Sequence, residues 1–112
     1  MDEYFIDITN LPAQPRELSK QTHLVYQDNE PTDAELNDMA VVEDIRRQIH
    51  SRFHLTCSAG ISNSIMLSKL VGNLHKPDHQ TLLNVRSDDD LQAFLDPFPL
   101  RKLHGGCGDI YR

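Results

Sequence analysis

A chain of 112 residues is the length of one domain, and a domain of that size buries a core without disulfide or metal staples. Apolar residues make up 38% and charged residues 25%, the balance of an ordinary globular protein. No apolar run reaches the roughly 18 residues of a membrane span, and the acidic opening Met1–Thr9 excludes a standard secretory signal. The two cysteines, Cys57 and Cys107, are too few for a disulfide scaffold and read as reduced thiols of an intracellular protein, with Cys57 in the core and Cys107 in a loop.

The net charge of −6, taken as a sum, argues against nucleic-acid binding, which needs Lys and Arg on phosphates. Its distribution matters more. Residues 27–44 hold seven acids and no Lys or Arg, whereas Lys69, Lys76, Arg86, Arg101 and Lys102 fall in the second half. A local basic face within an acidic chain is therefore compatible with the sequence.

Along the chain, the β-branched and aromatic residues 4–9 predict a strand, which Pro12 and Pro15 break. Residues 16–31 are polar and read as a mobile insertion with a short strand over His23–Tyr26. Thr32 and Glu35 form a capping box, so a helix is expected from about 33 to Phe53, with Val42, Ile45, Ile49 and Phe53 as its buried stripe. Arg46, Arg47 and Arg52 lie off that stripe and solvate it. Residues 55–61 predict a buried strand. Ser62–Ser64 supply a cap for a helix over 65–74, with Leu67, Leu70, Val71 and Leu74 facing inward. After Lys76-Pro77, residues 80–85 predict a strand, and Asp88–Asp90 cap a short helix to Leu95. Pro97 and Pro99 close it, and a glycine-rich turn, Gly105-Gly106-Cys107-Gly108, follows. Strand and helix alternate, which predicts an α+β or α/β sheet with helices packed on it.

Several groups can carry chemistry. Asp2 and Glu3 are adjacent carboxylates at the start of a strand, of the kind that hold Mg²⁺ in two-metal phosphoryl transfer, although on spacing alone a solvated acidic terminus is the favoured reading. Lys69 and Lys76 are two helical turns apart and can present point charges to phosphate or simply solubilise a face. Among six histidines, His50/His54 and His75/His79 have the four-residue spacing of zinc ligands. No cysteine pair or carboxylate completes either set, and Pro77 interrupts the second. The Gly105–Gly108 turn can cradle a phosphate or merely open a helix.

Taken together, the segments resemble the Y-family translesion DNA polymerases, especially the eta and iota types. The resemblance is carried by Met1-Asp2-Glu3-Tyr4-Phe5-Ile6-Asp7-Ile8-Thr9, by Leu55-Thr56-Cys57-Ser58-Ala59-Gly60-Ile61, by Leu67-Ser68-Lys69-Leu70, by Lys76-Pro77-Asp78-His79-Gln80-Thr81, and by Phe98-Pro99-Leu100-Arg101-Lys102-Leu103 before the double glycine. These follow family order and spacing and cover the chain except for a divergent stretch within 10–40.

The resemblance implies an α+β fold: a partial polymerase palm over residues 1–96, a β-sheet with the 33–53 and 65–74 helices on one face, a divergent loop at 10–31, and the start of the thumb at 97–112. It implies Mg²⁺-dependent nucleotidyl transfer onto a primer 3′-hydroxyl, with Asp2 and Glu3 as catalytic metal ligands. Lys76 would touch the incoming dNTP. Lys69, Gly105, Gly106 and Gly108 would approach DNA. Primer–template DNA and dNTP are then the partners, with no membrane, and the location is nuclear.

Departures from the family accompany these expectations. The family's first metal-binding Asp and its finger Tyr and Arg lie upstream of Asp2, so the chain starts too late to contain them. Ser64-Ile65 stands where the family has an Asn-Lys pair. The chain alone is therefore expected not to extend a primer, and a missing strand is expected to leave an unpaired sheet edge and a sticky, marginal fold. A non-catalytic palm remnant that binds DNA, nucleotide or protein is the alternative, and an unrelated α/β interaction domain is a third.

Overall fold

The computed structural model describes residues 4–9, 11 and 22–98. Six elements follow in order: β1 (Thr22–Leu24), α1 (Asp33–Phe53), β2 (Ala59–Ile61), α2 (Ile65–Gly72), β3 (Gln80–Leu82) and α3 (Asp88–Leu95). The three strands form one parallel sheet in the order β1-β3-β2. Gln80 pairs with Thr22 on one side and Ala59 on the other, and Leu82 pairs with Leu24 and Ile61. The α+β architecture expected from the sequence, a sheet with helices packed against it, is thus present. No helix among the described residues is long and apolar enough to cross a membrane.

Each helix begins at a hydroxyl cap that satisfies an otherwise orphaned backbone amide. At α1, Thr32 Oγ1 accepts from Glu35 N at 3.2 Å while Thr32 N donates to Glu35 Oε1 at 2.9 Å, the reciprocal box read from the sequence. Ser64 Oγ accepts from Leu67 N at the start of α2. Ser87, not the Asp88–Asp90 run, caps α3 by accepting from Asp90 N; the three acids occupy the first turn, where the helix dipole favours them. The left-handed His54 (φ 56°) ends α1.

The helices divide between the two faces of the sheet, which corrects the expected single-face arrangement of the first two. The chain crosses from β1 over β3 to β2 through α1, then returns to β3 through α2. Right-handed crossovers in opposite directions put their helices on opposite sides. Side chains agree: Met39 of α1 packs with Ile61 and Leu82, whereas Val71 of α2 packs with Leu83 and with Phe94 of α3. Leu82 at the end of β3 and Leu83 just after it enter opposite cores.

The buried stripe of α1 also differs from expectation. Met39, Ala40 and Val41 are buried, Val42, Ile45 and Ile49 are half-buried, and Phe53 is 65% exposed. The reason is length. A 21-residue helix is about 30 Å long, and three-residue strands span about 10 Å. The sheet therefore covers only the first half of α1. Leu55 lies exposed just beyond the helix, Ile65 is exposed at the start of α2, and Leu74, predicted to face inward, is exposed beyond its end.

Residues 4–9 form no strand, contrary to their composition. Tyr4 is 82% exposed, and Phe5 and Ile6 are more than half exposed. Strand propensity is realised only against a ladder partner, and this segment pairs with neither sheet edge. Asp7 instead folds its carboxylate onto Thr9 N at 2.9 Å, a local bond that competes with extended pairing. The strand foreseen near His23 is real: it is β1, an edge of the sheet, in a stretch that had been read as an insertion.

On the α2 face, β2 and α2 meet backbone to backbone. A Cβ on Gly60 would fall onto the Ser68 carbonyl oxygen and within 2.5 Å of Gly72 N. Glycine at 60 is what lets α2 lie this close. Cys57, expected in the core, is half-buried and free.

Candidate functional site

The expected metal ligands Asp2 and Glu3 lie outside the described residues, as do Gly105, Gly106 and Gly108 and the rest of the chain from 99 onward, expected to belong to the thumb. Among the described residues, no group of three or more His, Cys, Asp or Glu side chains is arranged to hold a metal ion. Asp7 is held below the usual carboxylate range by hydrogen bonds from the Thr9 hydroxyl and amide.

Lys69 and Lys76 both reach the surface. Lys69 sits in the last turn of α2, and its carbonyl accepts from Asn73 Nδ2 at 3.0 Å. Lys76 follows that helix, in the loop that enters β3, and its bond to Pro77 is cis. α2 ends at Gly72, so the two lysines are not on one continuous helix as their seven-residue spacing allowed.

Polar side chains that sequence reasoning passed over organise the ends of the sheet. Arg46, read as a solvating residue of α1, has a side chain only 11% exposed. Its Nε donates to Cys57 O, its Nη1 to Gln80 Oε1 and its Nη2 to Asp78 Oδ1, each at 3.0 Å. Gln80, buried, passes the connection on by donating to Thr22 Oγ1 at 2.7 Å and Met39 O at 3.0 Å. One guanidinium thus ties α1 to the entry points of β2 and β3, and through Gln80 to β1. Beside it is an open hollow of about 330 Å³ lined by Glu43, Arg46, Arg47, His50 and Asp78.

At the other end of the sheet, Asn84 is fully buried and bonded by every polar atom of its side chain. Its Oδ1 accepts from Tyr26 N at 2.8 Å, and its Nδ2 donates to Tyr26 O at 2.6 Å and Asn29 O at 2.9 Å. Tyr26 OH donates in turn to Asp90 O at 2.5 Å. The one sequence signal was that Asn84 is an amide among Leu82, Leu83 and Val85; Gln80, between His79 and Thr81, carried none.

Arg86 grips both oxygens of Glu35, at 2.6 and 3.0 Å, and also donates to Glu30 O at 2.7 Å, joining the start of α1 to the segment before α3. Burial alone raises the Glu35 carboxyl. The hydrogen bonds from Arg86 and from Thr32, with the Arg86 charge, outweigh it and hold the group below its ordinary value. The folded value is the lower one, so this pair's stabilisation is fully present above the ordinary glutamate range and is lost as pH falls through the folded value. Glu35→Gln should therefore flatten the acid limb of the stability curve, as measured by melting temperature between about pH 6 and about pH 3. An acid limb as steep as that of the parent chain counts against the assignment.

Three histidines meet at the α2–β3 corner. His23 stacks on His75 with ring centroids 4.0 Å apart and 5° between planes, and lies edge-on to His79 at 4.9 Å. The spacing of His75 and His79 was visible in the sequence; the arrival of His23 depends on the register of β1 against β3.

The fold and these contacts describe a βαβ unit, and comparison with known proteins places it. The model of the impB/mucB/samB family matches residues 1–73. The chain belongs to that family. Among curated proteins it is similar to DNA polymerase IV of Leptospira interrogans, 37% identical over 67 residues, which is 60% of this chain and 18% of that polymerase. It is similar to DNA polymerase IV of Pseudomonas fluorescens, 30% identical over 107 residues, 80% of this chain and 30% of the relative. It is also similar to DNA polymerase kappa of Caenorhabditis elegans, 38% identical over 69 residues, 62% and 11% respectively. The chain is thus related to the Y-family translesion DNA polymerases, and it spans less than a third of the length of each of these relatives.

Proposed function

We propose that this chain is the palm segment of a Y-family DNA-directed DNA polymerase that copies past damaged DNA, joining dNTPs to a primer 3′-hydroxyl. The observation that carries the reading is that three family-like motifs occupy consecutive pieces of one parallel sheet unit. Leu55–Ile61 ends in β2, Leu67–Leu70 lies in α2, and Lys76–Thr81 forms the loop that enters β3. The family match over residues 1–73 supports the same register at the N-terminal end.

In this reading Asp2 and Glu3 hold Mg²⁺, which would neutralise triphosphate charge and activate the primer hydroxyl. Lys76, exposed ahead of β3, meets the triphosphate as a point charge. Lys69, with the Gly105, Gly106 and Gly108 turn, faces the DNA backbone. The assignment to the eta or iota type, and with it a nuclear location, rests on the motif residues alone, since the relatives compared are DNA polymerases IV and kappa.

Calorimetric titration of the chain with a dNTP and Mg²⁺ tests the reading. Binding is expected at or below millimolar concentration, and Lys76→Ala is expected to weaken it about tenfold, the worth of one charge-assisted hydrogen bond. Because Lys76 is exposed, that variant should melt with the parent chain. Absence of heat up to millimolar dNTP sinks the nucleotide role, and DNA binding without nucleotide binding would favour a non-catalytic module. Primer extension by the chain alone is expected to be absent.

A further inference from the structure

The three-histidine corner is not used by the proposed polymerase reading and is independent of it. His23 is the middle residue of β1, His75 follows α2, and His79 directly precedes β3. His23 Nε2 and His79 Nδ1 lie 3.4 Å apart, and His75 Nδ1 lies 2.9 Å from Thr81 Oγ1, whose residue is the register partner of His23. We propose that the trio is a proton-operated latch on the edge strand β1: neutral imidazoles clamp β1 to the loop 73–79, and protonation in mildly acidic solution releases it.

Three features of the geometry lead there. Imidazoles stacked in parallel at 4.0 Å pack well when neutral, but two imidazolium ions at that separation repel. The contact between His23 Nε2 and His79 Nδ1 needs one donor and one acceptor, and two protonated rings offer only donors. Among the described residues, compensating charge is also lacking nearby. Asp78, the carboxylate of this loop, is paired to Arg46 at 3.0 Å; Lys76 adds positive charge; Thr22, Leu24 and Thr81 on the two strands carry none.

β1 is suited to release. It is three residues long and sits at one edge of the described sheet, paired there with β3. Apart from that ladder, its ties among the described residues are the packing of Leu24 in the α1 core, the Gln80–Thr22 bond and the histidines. Partial burial first, then the charges of His75 and His79, hold His23 below the ordinary histidine value. A group depressed in the folded state contributes stability above its unfolded value and loses it as pH falls through the folded one, so the latch opens on acidification.

The test compares melting temperatures at about pH 7.5 and about pH 5.5 for the full chain, His23→Gln and, as a control, His50→Gln on the exposed part of α1. The parent chain and His50→Gln should lose several degrees on acidification, and His23→Gln less than half of that loss. Proton NMR titration of the parent chain reads the ring directly and does not depend on the variant folding; the His23 midpoint should fall below that of a free histidine. An equal loss in His23→Gln and the parent, or a His23 midpoint at or above the free value, overturns the latch.

Discussion

Gly60→Ala should lower the melting temperature by at least roughly 12 °C, corresponding to about 3 kcal/mol or more for a domain of this size. The added methyl would meet the Ser68 carbonyl oxygen and Gly72 N, both backbone atoms that no rotamer change can move. Relief requires α2 to back away from β2, which opens the core that Val71 shares with Leu83 and Phe94. Gly72→Ala is the informative partner. Its methyl would meet Gly60 N at 3.1 Å, tight but tolerable with a small shift, and alanine favours the helix by about 1 kcal/mol over glycine. A near-neutral Gly72→Ala beside a severe Gly60→Ala locates the constraint in the β2 backbone. If Gly60→Ala melts within a degree or two of the parent, the close β2–α2 approach described here is wrong.

Asn84→Ala should cost about 3 kcal/mol, again read by chemical or thermal melting. The amide is fully buried and satisfies Tyr26 N, Tyr26 O and Asn29 O, none of which has a replacement donor or acceptor of the same reach. Truncation removes little apolar surface but strands those backbone groups, and that asymmetry makes the loss larger than the worth of one hydrogen bond. Asn29→Ala removes only the bonds from its own Nδ2 to Asn84 O and Asp90 Oδ2, in a half-buried site, and should cost about 1 kcal/mol. The segment 25–29, which follows β1, is thus fastened by one side chain 55 or more residues away.

What the sequence revealed and what it hid divide along the range of the interactions. α1 runs from Asp33 to Phe53 as expected because its limits are local: the Thr32–Glu35 box starts it and left-handed His54 ends it. Ser64 as a cap and the inward Leu67, Leu70 and Val71 were equally local. Tyr4–Thr9 was misread because strand-forming residues reveal propensity but not a partner. The short strand expected at His23–Tyr26 is present as β1, but its place at the sheet edge was not legible, since its pairing residues lie 58 positions downstream. The misjudged stripe of α1 arose because helical periodicity shows which residues share a side but not how far the sheet extends beneath it.

Of the expected site residues only Lys69 and Lys76 are described; both are exposed, and Lys76 lies in the loop before β3. The role of Arg46 could not be seen, because an arginine on a charged helix reads as solvent-facing until Cys57, Asp78 and Gln80 are folded around it. The histidine corner was half visible, as a four-residue spacing that gained its third member only through the sheet register.

The strand order β1-β3-β2 puts the last of the described strands in the middle. While the polypeptide is being synthesised, β1 and β2 are made before β3, and among the described residues each bonds only to β3. A capped α1 can begin to form on its own, though isolated helices are marginal in water. The sheet must wait until Leu82 has emerged, and then both edges are recruited together. A nascent chain stopped before residue 80 should thus carry helix without sheet and present two unpaired β segments to whatever binds unfolded protein.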